Sequence, residues 1–97
     1  MDKLRKIKYI IQENKRYLEE RYRVKQIGIF GSFARGEEHK SSDIDILVEF
    51  KEPIGLFEFM DLEEYLENLL QIKVDLVSKK ALKPRIGEYI LKEVEYV

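Results

Sequence analysis

Residues 31–50 read GSFARGEEHKSSDIDILVEF, and the second half of that stretch decides the fold. Ile44, Ile46, Val48 and Phe50 alternate with Asp45, Leu47 and Glu49. That is the two-residue period of a β-strand with one face in a core. Asp is depleted in strands, yet Asp43 and Asp45 flank Ile44 where this strand begins, and the same alternation sends both carboxylates to one side. Upstream, Lys25 to Phe30 reads as a short buried strand. Gly31-Ser32 breaks it, the next residues begin a short helix that stops near Gly36, and Glu37 to Ser42 is a polar loop.

Outward from this stretch, Leu4, Ile7, Ile10, Ile11 and Leu18 fall on one helical stripe, predicting a single amphipathic helix from about Lys3 to Tyr22. Pro53-Ile54-Gly55 is a turn signal. A helix over Leu56 to Leu70 follows, with Phe59, Leu62, Leu66, Leu69 and Leu70 inward. Lys73 to Val77 is a third strand and Ser78 to Lys83 a connector. Pro84 suits the first turn of a last helix ending near Glu93, and Val94 to Val97 can add a short edge strand. The fold class expected is α/β in the broad sense, more narrowly α+β, with a small mixed β-sheet and helices packed on it.

At 97 residues and 11.7 kDa the chain is expected to form a single domain over residues 1–97. A charged content of 38% beside 44% hydrophobic residues fits a folding globule, not a disordered chain. Net charge is −1, so direct nucleic-acid binding is disfavoured, though a local basic patch is not. No apolar run approaches the ~20 residues that span a bilayer, and no signal-like segment opens the chain. The absence of cysteine excludes a disulfide framework and suits a cytoplasmic location. A homo-oligomer is left open.

Fourteen acidic residues are Glu and five are Asp, and three of the five, Asp43, Asp45 and Asp75, stand in or beside strand-like runs. Asp75 lies between Val74 and Leu76 and can join the other two if the strands are neighbours. Two carboxylates ~4 Å apart repel by about 4 kcal/mol at an effective dielectric near 20, so grouping three calls for a cation. Hard oxygen donors without nearby His or Cys fit Mg²⁺ or Mn²⁺, and disfavour zinc. On the glycine side, a strand ending in Gly31-Ser32 lets backbone N–H groups and the Ser32 hydroxyl meet an anion. A phosphate cradle beside a carboxylate cluster is what metal-assisted phosphoryl or nucleotidyl transfer requires.

Other residues carry weaker signals. Arg35 reads equally as a contact to nucleotide phosphates or a partner and as a solvated charge. His39, in the polar loop, reads as an exposed side chain. Lys79, Lys80, Lys83 and Arg85 form a basic cluster suited to a triphosphate or an acidic partner, or simply solvated. Phe57, Phe59 and Met60 exceed the needs of one helical stripe, with core packing the default reading and a partner contact the other.

Gly31-Ser32, ten residues, then Asp43-Ile44-Asp45 resembles the signature of the minimal nucleotidyltransferases of the DNA polymerase β superfamily. GSFARGE at 31–37, SDIDILV at 42–48, KVDLVS at 73–78 and the closing KPRIGEYILKEVEYV extend the likeness over nearly the whole chain. The resemblance implies a polymerase β palm-like nucleotidyltransferase fold using ATP and two Mg²⁺ ions, with Mn²⁺ as substitute. Asp43 and Asp45 would ligate both metals. Asp75 would ligate the catalytic one and help deprotonate an acceptor hydroxyl, and Gly31 and Ser32 would hold the β- and γ-phosphates. It also implies an antitoxin that adenylylates a tyrosine of a HEPN-domain toxin. Two rivals stand beside that expectation: an antitoxin acting by occlusion alone, and a small-molecule nucleotidyltransferase of the antibiotic-modifying kind. Gln71 departs from the family pattern, standing where many relatives have a helix-ending glycine.

Overall fold

The alternation at residues 44–50 is realised as strand β2 (Ile44–Phe50), inside a four-stranded sheet. The computed structural model describes residues 2–97. Helices α1 (Lys3–Glu13) and α2 (Lys15–Tyr22) lead into β1 (Val24–Phe30), a one-turn helix α3 (Ser32–Arg35) and then β2. Helix α4 (Leu56–Leu70), β3 (Val74–Ser78), a 3₁₀ turn at Lys79–Ala81, α5 (Pro84–Glu93) and β4 (Glu95–Tyr96) complete the chain. Strand order is β3-β2-β1-β4. β1 runs antiparallel to β2 and β4, and β2 runs parallel to β3. The parallel pair needs a crossover, which α4 supplies. The sheet is mixed and the fold α+β, as expected.

One face of the sheet carries Ile27 and Ile29 of β1, Ile44, Ile46 and Val48 of β2, and Val74 and Leu76 of β3, packed with Ile7, Ile11, Leu18, Leu62, Leu66 and Leu70 of the helices. Strict alternation therefore puts Asp45 and Asp75 on the opposite face. β3 is an edge strand, and its outward N–H groups at Val74 and Leu76 donate to Glu67 and Glu63 of α4 at 3.0 and 2.9 Å. The unpaired donors that make an edge prone to aberrant pairing are thus satisfied within the chain.

The single first helix predicted from the hydrophobic stripe is in fact two. Asn14 leaves helical geometry (φ −109°, ψ 7°), and its side-chain Nδ2 donates to the Ile10 carbonyl at 2.8 Å. An Asn amide that bonds local backbone offers the chain an alternative to the helix ladder. Tyr65 of α4 holds the break by donating to Asn14 Oδ1.

Gln71 ends α4 in the left-handed region at φ 57°, which explains why a glycine suits this position. A left-handed conformation costs an L-residue about 1–2 kcal/mol, partly offset by the greater unfolded-state freedom of glycine. Gln71→Gly is expected to stabilise the protein by about 0.5–1 kcal/mol, a rise of a few degrees in Tm. A fall in Tm would show instead that the exposed bond from Gln71 Nε2 to the Asn68 carbonyl, at 2.6 Å, dominates.

Candidate active site

Parallel pairing of β2 with β3 sets Asp45 directly opposite Asp75 in register. Asp43 stands two residues before Asp45. The structure thus brings Asp45 and Asp75 onto one sheet face, at the starting ends of two neighbouring strands, with Asp43 close enough to act on Asp45. Their mutual influence is felt at Asp45. Burial first, then the carboxylates of Asp75, Asp43 and Glu93, push its pKa up to about 6, against the opposing pull of Arg35. Among the described residues no three His, Cys, Asp or Glu side chains close into a ready-made metal group, so the trio shares a field, not a cage. Three oxygen donors held where they oppose one another's charge nonetheless fit a hard divalent cation, the one partner that relieves that opposition.

Gly31 follows β1, beside the end of β2 that carries Asp45, with Phe30 paired to Asp45 in register. Its φ of 75° and ψ of −153° lie in a region essentially reserved for glycine. A Cβ built there would collide with the Asp45 carboxylate, so Gly31 and Asp45 are in close apposition. Ser32 opens α3, half-buried beside this turn. A second positive φ at Gly36 (72°) ends α3, and Glu37 N–H returns to the Ser32 carbonyl at 2.9 Å.

Arg35 is neither free nor merely solvated. Its Nε meets Glu37 and its Nη1 meets Glu93, each at 2.7 Å, and these two carboxylates hold its pKa above the ordinary value. Glu93 is the residue that sequence reasoning missed. Its other oxygen accepts from Gly31 N–H at 2.8 Å. Burial raises the Glu93 pKa, but its bonds to Arg35 and Gly31 outweigh that and hold it below the ordinary value. One local signal could have found it: a carboxylate in the last turn of a helix opposes the helix dipole.

The remaining sequence signals fall away from this face. His39 is exposed, its Nδ1 3.0 Å from Ser41 Oγ. Lys80, Lys83 and Arg85 are exposed, while Lys79 pairs loosely with Glu49 at 3.7 Å. Phe59 packs inward against Phe50, whereas Phe57 is 84% and Leu56 70% exposed. An apolar hollow of about 290 Å³ involving Phe50, Ile54, Leu56 and Phe59 lies at the opposite ends of β2 and β3 from Asp45 and Asp75. Among the described residues no helix is long and apolar enough to cross a membrane.

The family described as "Nucleotidyltransferase domain" matches residues 7–97. The protein adenylyltransferase MntA of Thermococcus cleftensis is 50% identical over 94 residues, covering 97% of this chain and 95% of the relative. A solved structure assigned as a minimal nucleotidyltransferase superposes with a TM-score of 0.74 at 34% identity, covering 94% of this chain and 88% of that one. A Shewanella oneidensis complex of an MNT antitoxin with its tri-AMPylated HEPN toxin shares the fold, with a TM-score of 0.68 at 19% identity over 93% of this chain and 70% of that one.

Proposed function

Since this chain belongs to the nucleotidyltransferase domain family, we propose that it transfers AMP from ATP to a tyrosine hydroxyl of a HEPN-domain toxin and so acts as an antitoxin. The observation that carries the reading is the register of Asp45 against Asp75 across the parallel strands, with the Asp43 carboxylate near enough to raise the Asp45 pKa. Asp43, Asp45 and Asp75 would hold Mg²⁺, two ions or Mn²⁺ in substitution, which when bound supplies charge neutralisation for the phosphates. The Ser32 hydroxyl and the turn at Gly31 face the β- and γ-phosphates, with Arg35 at the edge of that cradle. Asp75, on the edge strand and exposed, is the carboxylate best placed to take the acceptor's proton. As the acceptor oxygen bonds the α-phosphorus, the bond to the β-phosphate breaks and pyrophosphate leaves.

A macromolecular acceptor suits a carboxylate face on which Asp43 and Asp75 are exposed. The exposed Leu56, Phe57 and Met60 add an apolar patch of the sort partners cover. The activity of the 50%-identical relative and the AMPylated toxin held by the Shewanella antitoxin support the same assignment.

ATP labelled at the α-phosphate, incubated with Mg²⁺, this protein and a HEPN-domain toxin from the same source, is expected to label the toxin. Chelation of the metal, or replacement of the acceptor tyrosine by phenylalanine, is expected to remove that label. No transfer with metal, ATP and cognate toxin all present would overturn the proposal.

A further inference from the structure

The C-terminal segment is strapped to the sheet beside the motif turn. β4 pairs with β1 at Gly28↔Tyr96 and Ile29↔Glu95, and Val97 N–H donates to the Ile27 carbonyl at 3.0 Å. The fit is close, since a Cβ on Gly28 would stand 2.7 Å from Val94 Cγ2 and 3.1 Å from the Glu95 carbonyl oxygen. Glu93, just ahead of this strap, has its backbone fixed next to the end of β1. From there its carboxylate grips two groups of the GSFARG turn at once, Gly31 N–H at 2.8 Å and Arg35 Nη1 at 2.7 Å. Gly31 in turn lies against the Asp45 carboxylate, its virtual Cβ only 3.0 Å from Asp45 Cγ.

A line of contacts therefore runs from Glu93 through Gly31 to Asp45. Helix stability gives no reason for a glutamate in the last turn of α5, where negative charge is disfavoured. Residues that violate local preference and make short, specific bonds are those placed for function.

We propose that Glu93 is a positioning residue for nucleotidyl transfer, fixing the Gly31 turn and Arg35 so that Asp45 is held at its working place against Asp75. The inference rests on the reading above for its kinetic consequence, but not for its structural one. Glu93→Ala removes both bonds, whereas Glu93→Gln retains one oxygen that can accept from Gly31 N–H but sets an NH2 donor against Arg35, losing that bond together with the charge.

Two sets of measurements test this. In the nucleotide-free protein, Glu93→Ala is expected to speed exchange of the Gly31 amide proton by about 10-fold or more and to move the ¹³C resonance of the Asp45 carboxyl, while Glu93→Gln leaves the Gly31 amide largely protected. In the transfer assay, Glu93→Ala is expected to lower kcat by about 10- to 100-fold with KM for ATP little changed, and Glu93→Gln to recover part of the loss. Unchanged Gly31 exchange and Asp45 resonance in Glu93→Ala overturn the inference even if the wild type transfers nothing to the acceptor, the result that would sink only the functional reading. Tighter ATP binding by Glu93→Gln overturns it too, because Glu93 would then be a stand-in anion that phosphate displaces.

Discussion

Asp45→Asn is expected to reduce AMP transfer by about 10³-fold or more and, at the same time, to make the metal-free protein more stable at neutral pH. The loss of activity follows from position. Asp45 is the central carboxylate, opposite Asp75 in register and two residues from Asp43, and an amide supplies neither charge nor the same donor strength to a hard cation. The gain in stability follows from the raised pKa of about 6. A carboxyl that titrates higher in the folded than in the unfolded chain binds its proton more tightly when folded. Its contribution is therefore most favourable below the unfolded value near 4 and is lost as pH rises through about 6. A tenfold difference in proton affinity between the folded and unfolded chain is worth about 1.4 kcal/mol. For a group in part open to solvent the penalty above pH 6 shrinks to on the order of 1–2 kcal/mol.

The Asn variant carries no such penalty. With chelator present, its Tm should match that of the wild type near pH 4 and exceed it by several degrees at pH 7. Added Mg²⁺ and ATP should raise the Tm of the wild type and leave the variant nearly unmoved. A variant less stable than wild type at pH 7 without metal would show that Asp45 serves a structural bond and not a ligand site under electrostatic load.

What could be read in the sequence divides along the range of the interactions involved. β2 announced itself because Ile44, Ile46 and Val48 must share a face, which forces Asp43 and Asp45 onto the other. α4 and α5 were legible from Leu62, Leu66 and Leu70 and from Pro84, all signals contained within one element. The pairing of Asp45 with Asp75 could only be conjectured, since parallel register depends on how α4 crosses over and no residue near Asp75 encodes its partner. The break at Asn14 was hidden because it depends on a competing bond to Ile10 and on Tyr65 arriving from α4. At Glu93 the unfavourable place at a helix end flagged the residue but not its partner, because 62 positions separate it from Gly31. Local periodicity says that a glutamate there belongs to solvent, and only the β4–β1 pairing brings it to the turn.

Gly31→Ala is expected to be the most damaging single methyl added to this protein, for two separable reasons. The backbone at φ 75° and ψ −153° lies where a side chain costs about 1–3 kcal/mol. The added Cβ also drives into the Asp45 carboxylate, and displacing a packed group adds about 1 kcal/mol or more. A total near 2–4 kcal/mol should lower Tm by more than 10 °C. Because the displaced group is Asp45, transfer should fall about 100-fold even at temperatures where the variant is fully folded, as a misplacement near 1 Å suffices for that. Gly36→Ala is the control. Its φ of 72° and ψ of 24° lie in the left-handed helical region, a milder strain that Arg23 and Gln71 also bear, and its Cβ meets nothing within 4 Å, so it should lose about 1 kcal/mol and keep its activity. The collision itself can be isolated by adding Gly31→Ala to an Asp45→Ala background, where the carboxylate is gone. The stability cost of Gly31→Ala should shrink there. If instead the two changes add, or if Gly36→Ala proves as harmful to transfer, the close apposition of Gly31 and Asp45 is not what demands a glycine at this turn.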